Sequence, residues 1–168
     1  MHDAVNQLMA NADAAQITVS EIAERAGVNP TSIYRRWGTL ESLILDVEAT
    51  RIAISAPMPN TGTLRGDLLA YATQAATDIA RPGGLAFLQA VIGARDPSVA
   101  QPTAPLRDRA AQIQTMLDLA GERGEPALRY IDVLDCILAP IYLRTLFGVG
   151  PDAADLATFV ERALTQRT

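Results

Sequence analysis

Lysine is missing from this chain: all 14 basic residues among its 168 are arginine, a bias we read mainly as that of GC-rich coding DNA. One cysteine, Cys136, excludes an intramolecular disulfide, and one histidine, His2, leaves no ligand set for a zinc or haem site. No metal or cofactor is expected. Aromatic residues are only 5%. No stretch approaches the roughly 18 to 20 uninterrupted apolar residues that a membrane span needs. Neither a basic n-region nor an apolar h-region opens the chain, since Met1-His2-Asp3 runs straight into the amphipathic Ala4-Val5-Asn6-Gln7-Leu8-Met9. A soluble, cytoplasmic protein with no membrane partner is the expectation. Alternating apolar patterns bounded by hairpin turns are also lacking, which argues against a β fold.

What is present favours helix. Apolar residues make up 49% of the chain and alanine fills 29 positions, so a core can be buried on the most easily formed backbone. Breaker residues cut the sequence into pieces of helical length. They predict helices over Asp3–Ala12, Thr18–Gly27, Pro30–Gly38, Thr39–Ser55, Thr63–Ala80, Gly84–Arg95, Pro105–Glu122, Ala127–Phe147 and Asp152–Gln166. The net charge of −5 excludes a protein that coats nucleic acid by bulk electrostatics. Yet Asn29–Gly38 holds Arg35 and Arg36 and no acid, a local +2 against −7 for the remainder. Any contact with DNA must be local.

Thr18-Val19-Ser20-Glu21 fits a capping box, Gly27 supplies a stop, and Asn29-Pro30 reads as a helix cap followed by proline at the first helical position. Two short helices joined by this turn have the dimensions of a helix-turn-helix. On the second, Ile33 and Trp37 share an inward face, leaving Pro30, Thr31, Tyr34 and Arg35 outward. That outward face offers helix N-terminal amides to phosphate, the hydroxyls of Thr31 and Ser32, and an Arg35 guanidinium able to reach guanine or phosphate.

The run from Ile17-Thr18-Val19-Ser20-Glu21-Ile22-Ala23 through Ala26-Gly27-Val28 to Thr31-Ser32-Ile33-Tyr34-Arg35-Arg36-Trp37 closely resembles the DNA-binding segment of the TetR family of transcriptional repressors. Glu41–Asp46 continues the likeness, and Arg65-Gly66-Asp67-Leu68-Leu69 marks it in the second half. The resemblance implies an all-α fold of about nine helices, with a DNA-binding domain at 1–46 and an effector-binding and dimerisation domain at 47–168. It implies a homodimer that binds a pseudo-palindromic operator and is released or modulated by a small apolar ligand. Thr18 and Ser20 would then touch phosphate or a base edge. Asn29, Pro30, Thr31, Ser32, Tyr34 and Arg35 would line the groove, Arg36 would lie nearer the backbone, and Ile22, Ala26, Val28, Ile33 and Trp37 would form the small core. Three features depart from the family pattern: Leu40 stands where lysine is common, Asp13-Ala14 replaces a glycine-aromatic pair, and the sequence starts inside the first helix at His2, the helix that a basic arm generally precedes in the family.

In the second half, Leu156, Phe159, Val160, Ala163 and Leu164 form an apolar helical stripe, and Leu134, Ile137, Leu138 and Ile141 centre a nearly all-apolar helix. These predict a four-helix dimer interface. Pro140 should remove one hydrogen bond and bend its helix, opening space. Candidate walls of an effector pocket are Tyr71, Gln74, Phe87, Leu88, Val91, Met116, Leu119, Cys136 and Tyr142. Its occupant would shift the fourth helix as a lever on the recognition helices. Catalysis is not expected, because no nucleophile, base and orienting group converge in the pattern. The other reading is a helical interaction module that kept the motif's shape and lost operator binding.

Overall fold

The computed structural model describes residues 1–11, 17–55, 57–93 and 104–165. The described residues form nine helices and no strand, matching the all-α expectation. They are α1 (His2–Asn11), α2 (Val19–Ala26), α3 (Pro30–Trp37), α4 (Leu40–Ser55), α5 (Leu64–Ala80), α6 (Gly84–Gly93), α7 (Ala104–Glu122), α8 (residues 130–146) and α9 (Ala153–Thr165). Asp13-Ala14 lies outside the described residues.

Two compact units result, Met1–Ser55 with Arg81–Leu106, and Ala56–Ala80 with Arg107–Thr168. A division at 46/47 would fall inside α4, where Leu43, Ile44 and Val47 continue one buried stripe. Packing therefore keeps all of α4 in the first unit. There Val5 and Met9 of α1, Val19, Ile22 and Ala23 of α2, Ile33 of α3, the α4 stripe and Ala90 of α6 close one core. Each fully buried Ile or Leu contributes about 1.5–3 kcal/mol. Leu40, the departure from the family pattern, packs against this core together with Trp37 and Val91. One acid is buried beside it. Glu48 of α4 accepts from Arg51 Nε at 3.1 Å and from Arg81, which ties α4 to the turn before α6.

The second unit is organised by the start of α5. Asp67, 1% exposed, accepts from the Thr61 backbone N–H at 2.5 Å, from Thr61 Oγ1 at 2.8 Å and from Arg123 Nη2 at 3.1 Å. Gly66 permits this, because a Cβ there would sit 2.3 Å from Thr61 Oγ1. Arg65 reaches Glu161 of α9 at 2.6 Å, so each residue of the Arg65-Gly66-Asp67 run has its own structural task.

Helix α8 starts at Tyr130, three residues later than periodicity suggests. The Asp132 carboxylate captures the Arg129 backbone N–H at 2.9 Å and Gln114 Oε1 accepts from the Tyr130 N–H at 2.9 Å, fixing that start. Leu134–Leu138 forms a π-helical turn just ahead of Pro140. Proline has no N–H for the carbonyl four residues back, and the ladder widens by one residue there.

Candidate nucleic-acid interface

Local chemistry builds α2 and α3 one cap at a time. The Thr18 hydroxyl accepts from the Glu21 N–H at 3.3 Å and donates to Glu21 Oε2 at 2.8 Å, while Glu21 Oε2 also accepts from the Thr18 N–H at 2.9 Å. The Thr18 side-chain and backbone hydrogen bonds hold the Glu21 carboxyl below its usual range. Gly27 ends α2 in the left-handed conformation, φ 66°, which lets the chain turn sharply. Asn29 then caps α3, its Oδ1 accepting from the Thr31 N–H at 2.8 Å, and Pro30 takes the first helical position. Ile33 points inward at 1% exposure. Trp37 is half-buried, its Nε1 donates to Asp46 Oδ2 at 2.9 Å, and Arg36 lies over its ring at 4.6 Å from the centroid.

The outer surface of this pair carries every side chain expected to meet DNA. Thr18, Ser20, Asn29, Pro30, Thr31, Ser32, Tyr34, Arg35 and Arg36 are all exposed. Among the described residues, Arg35 makes no ion pair or hydrogen bond with its side chain. Two expectations change. The Thr18 hydroxyl proton is committed to Glu21, so Thr18 works as a helix cap. The first α3 amides are already taken, Thr31 by Asn29 Oδ1 and Ser32 by the Asn29 carbonyl, leaving side chains as what α3 offers. Val28 is 40% exposed and does not join the small core, because the Gly27 turn carries it outward; Ala26 is half-buried.

Further along, the stripe expected at a dimer interface closes the chain's own core. Ile137, Leu138, Ile141, Leu156, Phe159, Val160 and Ala163 are 0–6% exposed and Leu134 is half-buried. Helices α5, α8 and α9 pack on one another and cover them. On α8 and just beyond it, the large apolar residues left outside are Ile131, Leu143, Leu146, Phe147 and Val149, which the periodicity did not single out.

The nine pocket residues do not stay together. Leu88 and Val91 belong to α6 in the first unit, Val91 against its core, and the side chain of Phe87 lies outside what is described. Leu119 is 47% exposed and walls nothing off. Tyr71 and Met116 are buried in the second unit, where Gln74, Cys136 and Tyr142 are partly buried. Sequence reasoning also missed Glu48, Arg51 and Arg81; the one available signal was an acid at helical spacing on the apolar face of α4. Among the described residues no group of three His, Cys, Asp or Glu could hold a metal, and no helix is long and apolar enough to cross a membrane.

A capped helix pair of this form, presented on an all-helical scaffold, defines a helix-turn-helix protein. Residues 3–47 match the family model for bacterial regulatory proteins of the tetR family, and residues 58–163 match the tetracyclin repressor-like C-terminal domain. The chain belongs to the TetR family of transcriptional regulators. It is similar to the HTH-type transcriptional regulator AqdR of Rhodococcus erythropolis, 34% identical over 98 residues, which cover 58% of this chain and about half, 47%, of that protein. The uncharacterized HTH-type transcriptional regulator Rv1556 of Mycobacterium tuberculosis is 30% identical over 144 residues, 83% of this chain and 71% of that one. The crystal structure of the TetR family transcription regulator SCO0332 superposes with a TM-score of 0.77 at 29% identity, covering 99% of this chain and 96% of the other.

Proposed function

We propose that this chain is a repressor that binds a pseudo-palindromic operator as a homodimer in the cytoplasm, laying α3 in the major groove. The observation that carries the reading is the outer face of α3, where Asn29, Thr31, Ser32, Tyr34 and Arg35 are exposed together on a rigidly capped helix. Arg35 is suited to guanine O6 and N7, Asn29 to adenine or phosphate, and Arg36, held over Trp37, to the backbone. Ser20, with its hydroxyl outward at the start of α2, supports register on phosphate. The first unit does the reading, and the second supplies effector binding and dimerisation. No catalytic role is assigned.

The dimer surface in this reading is the outer side of α8. Leu143, Leu146 and Phe147 are three and four residues apart, hence on one face, and stand 52%, 45% and 77% exposed in the single chain. A small apolar effector in the second unit would act through different affinities for the DNA-binding and released states. The chain passes from α5 into Arg81, which is bonded to Glu48 of α4, and this gives the signal a covalent and ionic route.

A gel shift of DNA from the gene's own upstream region is the test. Arg35→Ala or Tyr34→Ala should weaken specific binding by about 1–3 kcal/mol. Wild-type protein that fails to shift this DNA, or variants that shift it equally well, would turn the assignment toward a helical interaction module.

A further inference from the structure

Three of the four tyrosines of the chain gather in the second unit. Tyr142 on α8 lies within electrostatic range of Tyr71 and Asp78 on α5, Arg109 on α7, and Tyr130. Tyr71 is 3% exposed, with the Arg109 guanidinium 5.2 Å from its ring centroid. Gln74 is three residues beyond Tyr71 and four before Asp78, so it stands on the same face of α5. On α7, Arg109 shares a face with the buried Ile113 and Met116. On this face of α5 one atom is unsatisfied. Gln74 Oε1 is buried and accepts no hydrogen bond. A buried acceptor without a donor costs stability, and such a group is kept where something else uses it.

We propose that Gln74 is the specificity-determining residue of an effector site on α5, α7 and α8, and that the site takes a neutral, mainly apolar molecule bearing one hydroxyl or N–H donor. The proposal rests on the second unit being the effector-binding half. Gln74 Oε1 receives the donor, and the apolar frame lies toward the α7 face that carries Ile113 and Met116. Neutrality follows from the charges present. Asp78 and Arg109 act on Tyr142 in opposite directions, and burial holds both the Tyr71 and Tyr142 phenols in their protonated form, so no net charge awaits an ion. An ionised ligand would lose its hydration without a counter-charge.

Calorimetric titration of the full chain with para-ethylphenol, para-ethylanisole, ethylbenzene and para-ethylbenzoate separates these possibilities. Para-ethylphenol should bind about tenfold more tightly than para-ethylanisole, which keeps the oxygen and loses the donor. Gln74→Met should bring the two within about twofold, and it should raise the melting temperature of the unliganded protein by removing the orphaned acceptor. The proposal is overturned if none of the four binds, if phenol and anisole bind the wild type equally, or if the benzoate binds best. It is equally overturned if Gln74→Met melts lower than wild type, since Gln74 would then be satisfied within the fold. The gel shift of upstream DNA by unliganded protein should be unchanged in Gln74→Met, so failure of this proposal is distinguishable from failure of operator binding.

Discussion

On α3 the exposed side chains are Asn29, Thr31, Ser32, Tyr34 and Arg35, polar or cationic, whereas at the end of α8 they are Leu143, Leu146 and Phe147, followed by Val149. Both surfaces belong to helices whose other side is fully used: Ile33 in the first unit and Ile137 with Ile141 in the second are 0–1% exposed. The difference lies in what each leftover face can recognise. A polar face around an unpaired arginine suits base edges and phosphate, while an apolar face of several adjacent large side chains is stable only against another apolar surface. In the proposed reading, the first of these faces meets DNA and the second meets a second copy of the chain.

The comparison breaks most completely at α8. Phe147→Asp with Leu143→Asp should convert the dimer to monomer by sedimentation and lower operator affinity at least about a hundredfold, since half-sites are read in pairs. The melting behaviour of the monomer should change little, because both residues are already in water. Next comes α3. Arg35→Ala should cost about 1–3 kcal/mol of operator binding and leave the sedimentation coefficient untouched. A drop in dimerisation in that variant would show that the two faces are not separate. Gly66→Ala should destabilise the second unit by about 1–3 kcal/mol in urea, because the new Cβ must displace Thr61 from Asp67. Thr18→Ala should lower stability by about 1 kcal/mol as a lost cap, whereas Ser20→Ala should weaken DNA binding with no change in stability.

The smallest effect is one of pH. Hydrogen bonds from Thr18, Arg129 and Arg144 hold the carboxyls of Glu21, Asp132 and Asp155 below their usual range. Their contribution is present above the unfolded carboxylate pKa and is lost as pH falls through the lowered folded values. The urea midpoint should therefore hold steady near neutrality and decline below about pH 4.

The helix-turn-helix was legible because each of its signals is local: Thr18 meets Glu21 three residues on, Asn29 caps Thr31 two residues on, and Gly27 makes its turn alone. Periodicity also located the apolar stripes of α8 and α9. It could not say whether the covering surface came from the same chain or another, and the stripe read as a dimer contact is the second unit's own core. Arg81 and Glu48 are 33 residues apart and Arg123 and Asp67 are 56 apart, so no local pattern announces either pair. The orphaned Gln74 Oε1 was equally hidden, since an unsatisfied atom is defined by what surrounds it in three dimensions.

Guanine N7 methylation interference on the upstream DNA tests the groove assignment most directly. Two clusters of sensitive guanines should appear in the major groove, separated by one helical turn of roughly 34 to 36 Å or a multiple of it, and Arg35→Ala should abolish sensitivity at one guanine in each cluster. Interference that persists unchanged in Arg35→Ala, or that falls in a single unpaired cluster, would contradict the account.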